Sequence, residues 1–208
     1  HEYGMCISSL NNALANLVAG FVIAKTSVIM NVQSYLLSRN EAATTAAGVA
    51  QLLGAESIDY VLRRARESFA FVSGKDLTRK DMSAKDPDAT LLRFRQKGRL
   101  GQVDAFVSHS WSDNASAKWD RLSAWQDDFK TRHGRAPKLW IDKYCIDQDQ
   151  IEVSLLCLPI YLSGCRKLLV LCGSTYLKRL WCLVEIFVFL EMGGDMDHLE
   201  VLLIEEED

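Results

Sequence analysis

The spacing of apolar positions changes character near residue 100. Before it the pattern is helical. Ala, Leu, Asn and Ser fill residues 7 to 38, and "NEAATTAAGVAQLLG" offers a cap at Asn40 and a stop at Gly54. In "SIDYVLRRARESFAFV", Ile58, Val61, Leu62, Ala65 and Phe69 recur at helical spacing, with Arg63, Arg64 and Arg66 on the other side. The polar stretch "SGKDLTRKDMSAKDPD" reads as loop, and "ATLLRFRQKGRLG" as a short basic helix or linker. Its Arg93, Arg95, Lys97 and Arg99 read as a solvated face, with an acidic partner surface as the alternative. Residues 5 to about 97 are therefore predicted to be nearly all helix and loop.

After residue 100, short β-rich runs alternate with helical ones. "VDAFVSHSW" (103 to 111), "PKLWID", "RKLLVLCG" and "LEVLLIE" read as strands. Between them, "ASAKWDRLSAWQDDFKTRHG" places Trp119, Leu122, Trp125 and Phe129 along one stripe and stops at Gly134. "QIEVSLLCLPIYLSGC" is a second helical segment that Pro159 kinks or restarts. "STYLKRLWCLVEIFVFLEMGG" is a third, with Ser174 as N-cap and Gly193 as stop. Such alternation predicts an α/β fold: a parallel sheet covered by helices on both faces. Residues 1–100 form a helical region and 101–208 the α/β domain on this division.

Composition narrows the picture only a little. Of 208 residues 49% are apolar, as in a globular protein, and the formal charge of −3 gives no pull toward nucleic acid. The six cysteines sit mostly in apolar runs, with no C-x-x-C pair, so they read as buried thiols of a cytoplasmic or other reducing compartment. An organellar setting, within a membrane complex, is the alternative. A chain starting at His1 reads as trimmed. From Tyr3 to Ser38 the only charge is Lys25, yet the run "ALANLVAGFVIA" is shorter than the roughly 20 apolar residues a spanning helix needs. It reads as a helix buried against protein. Residues 3–38 also allow contact with a membrane or a membrane complex.

The chemistry-bearing residues gather where such a sheet places its ligands, beyond the carboxyl ends of the strands. "SHSWSDN", "DKYCIDQDQ" and "GSTYLKRLWC" share that rim. Glu185 stands inside a nearly apolar helix, one turn beyond Trp181 and so on the same face. A carboxylate there is either a structural acid with a partner or an acid set in a pocket. Trp181 and Cys182 read first as core, and His109 as a loop histidine rather than a base. Asp104 reads as a local cap or ion pair, and Asp142 as an acid that ends a strand and shapes the rim. Asp142, Asp147 and Asp149 have cation-like spacing but lack the glycine turn of a calcium loop, so no metal site is expected.

Together these segments resemble the Toll/interleukin-1 receptor (TIR) domain. "DAFVSHSWSD" is similar to its first box, "KLWIDKYCIDQ" to its second strand and following loop, and "LLVLCGSTYLKRLWCLVEI" to its strand, Ser, Tyr and Trp-Cys-x-x-Glu pattern. The resemblance covers residues 103 to 204. It departs by supplying four of the usual strands and by lacking a Pro-Gly turn in the second loop. It implies a flavodoxin-like sheet, with order 2-1-3-4 here. It also implies one of two functions: a signalling, assembly or scaffold module that binds protein partners or itself, or an enzyme that cleaves NAD between nicotinamide and ribose. In the second case Glu185 is the catalytic residue, ionised in the field of the helix N-terminus and facing Ser108 and Trp111. Phe106, Trp111 and Trp181 would form the nicotinamide slot, and Ser108, His109, Ser110, Asp142 and Cys182 would complete the substrate site. NAD is then a substrate, and no cofactor is expected.

Overall fold

The first departure from the sequence pattern lies at the end of the first helix. In the computed structural model of the chain, residues 57–83, 88–147, 154, 156–192 and 194–205 are described. Helix α1, Ile58–Ser68, is capped by Ser57, whose side chain accepts from the Tyr60 amide. It stops earlier than the apolar spacing implies. The Ser68 hydroxyl turns back to the Arg64 carbonyl and meets the Tyr161 hydroxyl at 2.7 Å. The chain then extends into strand β1, Ala70–Ser73. "AFV" is β-branched and aromatic, and a short continuous apolar run fits a buried strand as well as a helix.

Strand β1 pairs antiparallel with a two-residue strand β2, Gln96–Lys97. The expectation that residues 5 to 97 contain only helix and loop is thereby corrected. The stretch read as loop holds a 3₁₀ turn, Gly74–Asp76, and a short helix α2, Arg79–Ser83. "ATLLRF" is a 3₁₀ turn leading into β2, and Arg93, Arg95, Lys97 and Arg99 are all exposed. The cap and stop at Asn40 and Gly54, and the low-charge run 3–38, lie outside the described residues.

After residue 100 the alternation holds. Strand β3 is Ala105–His109, helix α3 Ala115–His133, strand β4 Lys138–Trp140 and helix α4 Asp142–Cys145. Helix α5 Leu158–Ser163, strand β5 Leu168–Cys172, helix α6 Leu180–Glu191 and strand β6 Leu199–Leu203 complete it. Helix α3 is bounded as its sequence implies. Asn114 Oδ1 accepts from the Ala117 amide, and Gly134 takes the left-handed conformation at φ 68°. Pro159 sits in the first turn of α5, where its missing N–H costs nothing, so it restarts the helix.

The six strands form one mixed sheet in the order β2-β1-β4-β3-β5-β6. Strands β4, β3, β5 and β6 are mutually parallel, while β1 joins β4 antiparallel. The parallel part therefore has the expected order 2-1-3-4, and the sheet crosses the boundary placed at residue 100. Every residue of β3 and β5 is buried, which is why both read as nearly continuous apolar runs. Phe106 stacks on Trp140 with ring centres 4.3 Å apart. At the opposite end of the strand, Asp104 accepts two bonds from the Arg135 guanidinium, 2.7 and 2.8 Å, and one from the Lys138 amide. This is the local pairing expected of it. Burial pushes the Asp104 carboxyl up, but these donors outweigh it and hold it below the usual carboxylate range.

Among the described residues no helix is long and apolar enough to cross a membrane, and no disulfide joins Cys145, Cys157, Cys165, Cys172 or Cys182.

Candidate functional site

Two polar clusters meet at the carboxyl end of β3, because successive side chains of a strand point to opposite sides. Ser108 points one way. Its hydroxyl donates to the Glu185 carboxyl and lies 2.6 Å from the Tyr176 hydroxyl. Glu185 and Tyr176 are buried, Glu185 with only 5% of its surface exposed. Glu185 thus points inward toward the loop end of β3, beside Ser108. It is not an edge residue of an outer helix face.

Its charge state is not the one expected. Burial pushes the Glu185 carboxyl up to about 8; the Asp142 charge adds to the rise, and bonds from Ser108 and Trp181 oppose it. At neutral pH it is a neutral acid, not a carboxylate. The reason is burial, which its place in α6 does not offset. Segment 173–179 is pinned to the loop after β3, and a 3₁₀ turn at Tyr176–Lys178 precedes a helix that starts only at Leu180. Ser174 is not its cap. Glu185 falls in the second turn, where the field of the helix N-terminus has faded, and Ser108 and Trp181 carry no charge.

The pin is Asp113. Its carboxylate accepts from the Gly173 amide, from the Thr175 amide at 2.8 Å and from the Thr175 hydroxyl at 2.6 Å. A Cβ at Gly173 would stand 2.4 Å from the Asp113 carboxyl carbon, so only glycine allows this approach. Ser110 supports the same junction, its hydroxyl 2.7 Å from that of Thr175. These bonds tie together the loops after β3 and β5, where the strand order reverses.

His109 points the other way. Its Nε2 lies 3.3 Å from Asp142 Oδ1, while Asp142 also accepts from Trp111 Nε1 at 2.7 Å and from the Lys143 amide at 2.7 Å. Burial raises the Asp142 carboxyl, but His109 and the other donors overcome it and keep it low. Asp142 is therefore the ionised acid of the rim. Lys143 Nζ sits 4.7 Å from the centre of the Trp111 ring and donates to the Asp81 carbonyl at 2.9 Å. A cavity of about 320 Å³ opens here, with His109, Trp111, Asp113, Lys118 and Lys143 in its wall.

The predicted substrate residues thus divide. His109 and Trp111 line the cavity; Asp142 braces both. Ser108 and Ser110 are buried beneath it, and Glu185 does not line it. Phe106 is fully buried against Trp140 and belongs to the core, so it is unavailable to a nicotinamide slot. Trp181, read as core, is 36% exposed beside Leu180 at 77%. Cys182 is buried, with its thiol against the His109 carbonyl at 3.5 Å and pushed up to about 12 by burial first and then Glu185. Trp111 bonds Asp142, not Glu185, so the expected meeting of Glu185, Ser108 and Trp111 holds for Ser108.

Two further residues carry the site without having been singled out. Asp113 gave a signal, since a carboxylate one position before a cap at a strand-end loop has many amides within reach. Lys118 gave one in retrospect. It takes the position at the head of the buried stripe Leu122, Trp125 and Phe129 that the apolar count assigned to Trp119. Only 2% exposed, Lys118 donates from Nζ to the Ser110 carbonyl at 2.6 Å. Burial lowers its pKa, and Asp113 partly offsets that. Among the described residues no three His, Cys, Asp or Glu side chains gather as a metal site would need; Asp149 lies outside them. No family model, curated protein or solved structure matches the chain.

Proposed function

We propose that residues 103–204 are a TIR-like, flavodoxin-like domain that cleaves NAD between nicotinamide and ribose, with Glu185 as the catalytic residue. The observation that supports this most is the hydrogen bond from Ser108, at the carboxyl end of β3, to a buried carboxyl on the helix after β5. In the reaction the C–N bond breaks and its electron pair leaves with nicotinamide. Positive charge builds on the ribose, water adds to it, and the water's proton passes to solvent. A carboxylate beside the ribose stabilises that charge. Glu185 is neutral in the free protein at pH 7, but the pyridinium ring of NAD is itself a cation. A nearby cation favours the charged carboxylate, so binding draws the proton off Glu185. His109 and Trp111 line the neighbouring cavity at the end of the same strand, and Asp142 braces both; Glu185 does not line it. The test is incubation of the full chain with NAD and separation of the products by chromatography. Nicotinamide appearing in proportion to enzyme supports the reading, and none appearing opposes it.

A second reading is a non-catalytic scaffold module, and different observations favour it. Leu180 and Trp181 are exposed at the start of α6. Strand β6 is a half-buried apolar edge whose outer side pairs with no strand among the described residues. Unpaired edges invite pairing with another chain. Light scattering across a range of concentrations distinguishes self-association from a monomer. Unjoined thiols at Cys145, Cys157 and Cys182 suit a reducing, cytoplasmic setting for either reading.

A further inference from the structure

We infer that Ser108 and Tyr176 are positioning residues that fix Glu185 as a hydrogen-bond acceptor: the Tyr176 hydroxyl donates to Ser108, and Ser108 donates to the Glu185 carboxyl. The inference rests on the NAD reading only in calling Glu185 catalytic; the direction of the chain is a property of the free protein.

The three side chains come from three elements. Ser108 lies near the carboxyl end of β3, Tyr176 opens the 3₁₀ turn after β5, and Glu185 lies in α6. All three are buried. The Ser108 oxygen stands between the other two, 2.6 Å from the Tyr176 hydroxyl and bonded to the Glu185 carboxyl. The Asp113 pin sets Tyr176 in place as well. It grips Gly173 and Thr175, and the Tyr176 amide donates to the Gly173 carbonyl at 3.2 Å. Trp181, one turn before Glu185, adds a bond to the carboxyl, for which its indole N–H is the donor.

Two contacts join these hydroxyls to the carboxyl, and each needs one hydrogen. With Glu185 ionised, the hydrogens of Tyr176 and Ser108 fill both, and only one direction works. A carboxylate only accepts, so Ser108 must donate to it. The Ser108 hydroxyl has a single hydrogen, so Tyr176 must donate to Ser108. Burial first, and then the Glu185 charge, pushes the Tyr176 phenol well up, so it keeps that hydrogen at every working pH. A protonated Glu185 brings a third hydrogen to a chain with two contacts, and one hydrogen finds no acceptor within it. The hydrogen bonds therefore favour the carboxylate, while burial favours the acid and wins at neutral pH. The other titratable groups facing Glu185 do not supply that preference. Asp142 is a like charge that raises it, and the Cys182 thiol, pushed up to about 12, stays neutral. When a cationic ring tips the balance, the carboxylate that forms meets donors already aligned, and such preorganisation is what electrostatic catalysis requires.

The experiment is a carboxyl-carbon NMR titration of Glu185 in the full 208-residue chain, its signal assigned by loss in Glu185→Gln. The wild-type midpoint is expected near 8. Ser108→Ala should raise it by roughly one pH unit, because a hydrogen bond to the charged form is lost. Tyr176→Phe should raise it less, by roughly 0.3 unit or more, because Tyr176 acts through Ser108. Adding Tyr176→Phe to Ser108→Ala should move it no further. Should Ser108→Ala fail to fold, Tyr176→Phe carries the test. An unmoved or lowered midpoint in Tyr176→Phe, whatever its stability, overturns the inference, and so does an equal shift with and without Ser108. The titration needs no NAD, so absence of nicotinamide release would remove the catalytic reading of Glu185 and leave this result standing.

Discussion

Replacing Glu185 by Gln should remove a large pH dependence from the stability of the fold. In the unfolded chain this carboxyl titrates near its ordinary 4.5, and in the folded protein near 8. Between those values the folded state keeps a proton that the unfolded state gives up. Stability is therefore greatest at the acid end of this interval and falls as pH rises through it. Each pH unit crossed costs about 1.4 kcal/mol. From pH 5 to pH 8 the wild type should lose roughly 3–4 kcal/mol that Glu185→Gln does not lose. The amide keeps the shape and can still meet Ser108, so any constant effect of the substitution cancels in the comparison. Urea unfolding of both proteins at pH 5, 6, 7 and 8 measures it. The difference between the two curves should swing by that amount in favour of the variant as pH rises. A flat difference would show that Glu185 is ionised in the folded protein, and the reasoning from its burial would fail.

The other consequences concern the frame that holds the site. Asp104→Ala leaves Arg135 and the Lys138 amide without their acceptor, and since Arg135 reaches solvent the cost should be roughly 1–3 kcal/mol by urea unfolding. Because the folded pKa of Asp104 is depressed, its contribution is present at neutral pH and should vanish as pH falls through that lowered value, where the variant and wild type converge. Phe106→Ala opens a void against Trp140 and should cost about 3–5 kcal/mol, with a change in Trp fluorescence. A loss under about 1 kcal/mol would place Phe106 outside the core.

What was legible in the sequence followed from period and from caps. Leu168–Cys172 is an unbroken apolar run and became a central strand, and Asn114 and Gly134 bound α3 as their side chains and backbone freedom require. What was hidden depended on partners far along the chain. "FAFV" became a strand because β4 offered an open edge at Lys138 and Leu139, which no local pattern records. The start of α6 was misplaced because Asp113, some 60 positions earlier, holds Gly173 and Thr175 out of the helix. Glu185 is protonated because it is buried: the Trp-Cys-x-x-Glu spacing places it one turn beyond Trp181, but the second turn is too far for the helix N-terminus to hold its charge. Lys118 was overlooked for a simpler reason, since Trp119 fits an apolar stripe equally well by count.

The most direct measurement is the pH dependence of nicotinamide release from NAD by the full chain, set beside Glu185→Gln. With a free-protein pKa near 8, kcat/KM of the wild type should climb about tenfold per pH unit below that value and level off above it. Glu185→Gln should be slower by ~100-fold or more at pH 8 and show no such climb. Absence of release from the wild type, or equal release from the variant, would contradict the assignment of Glu185 as the catalytic residue.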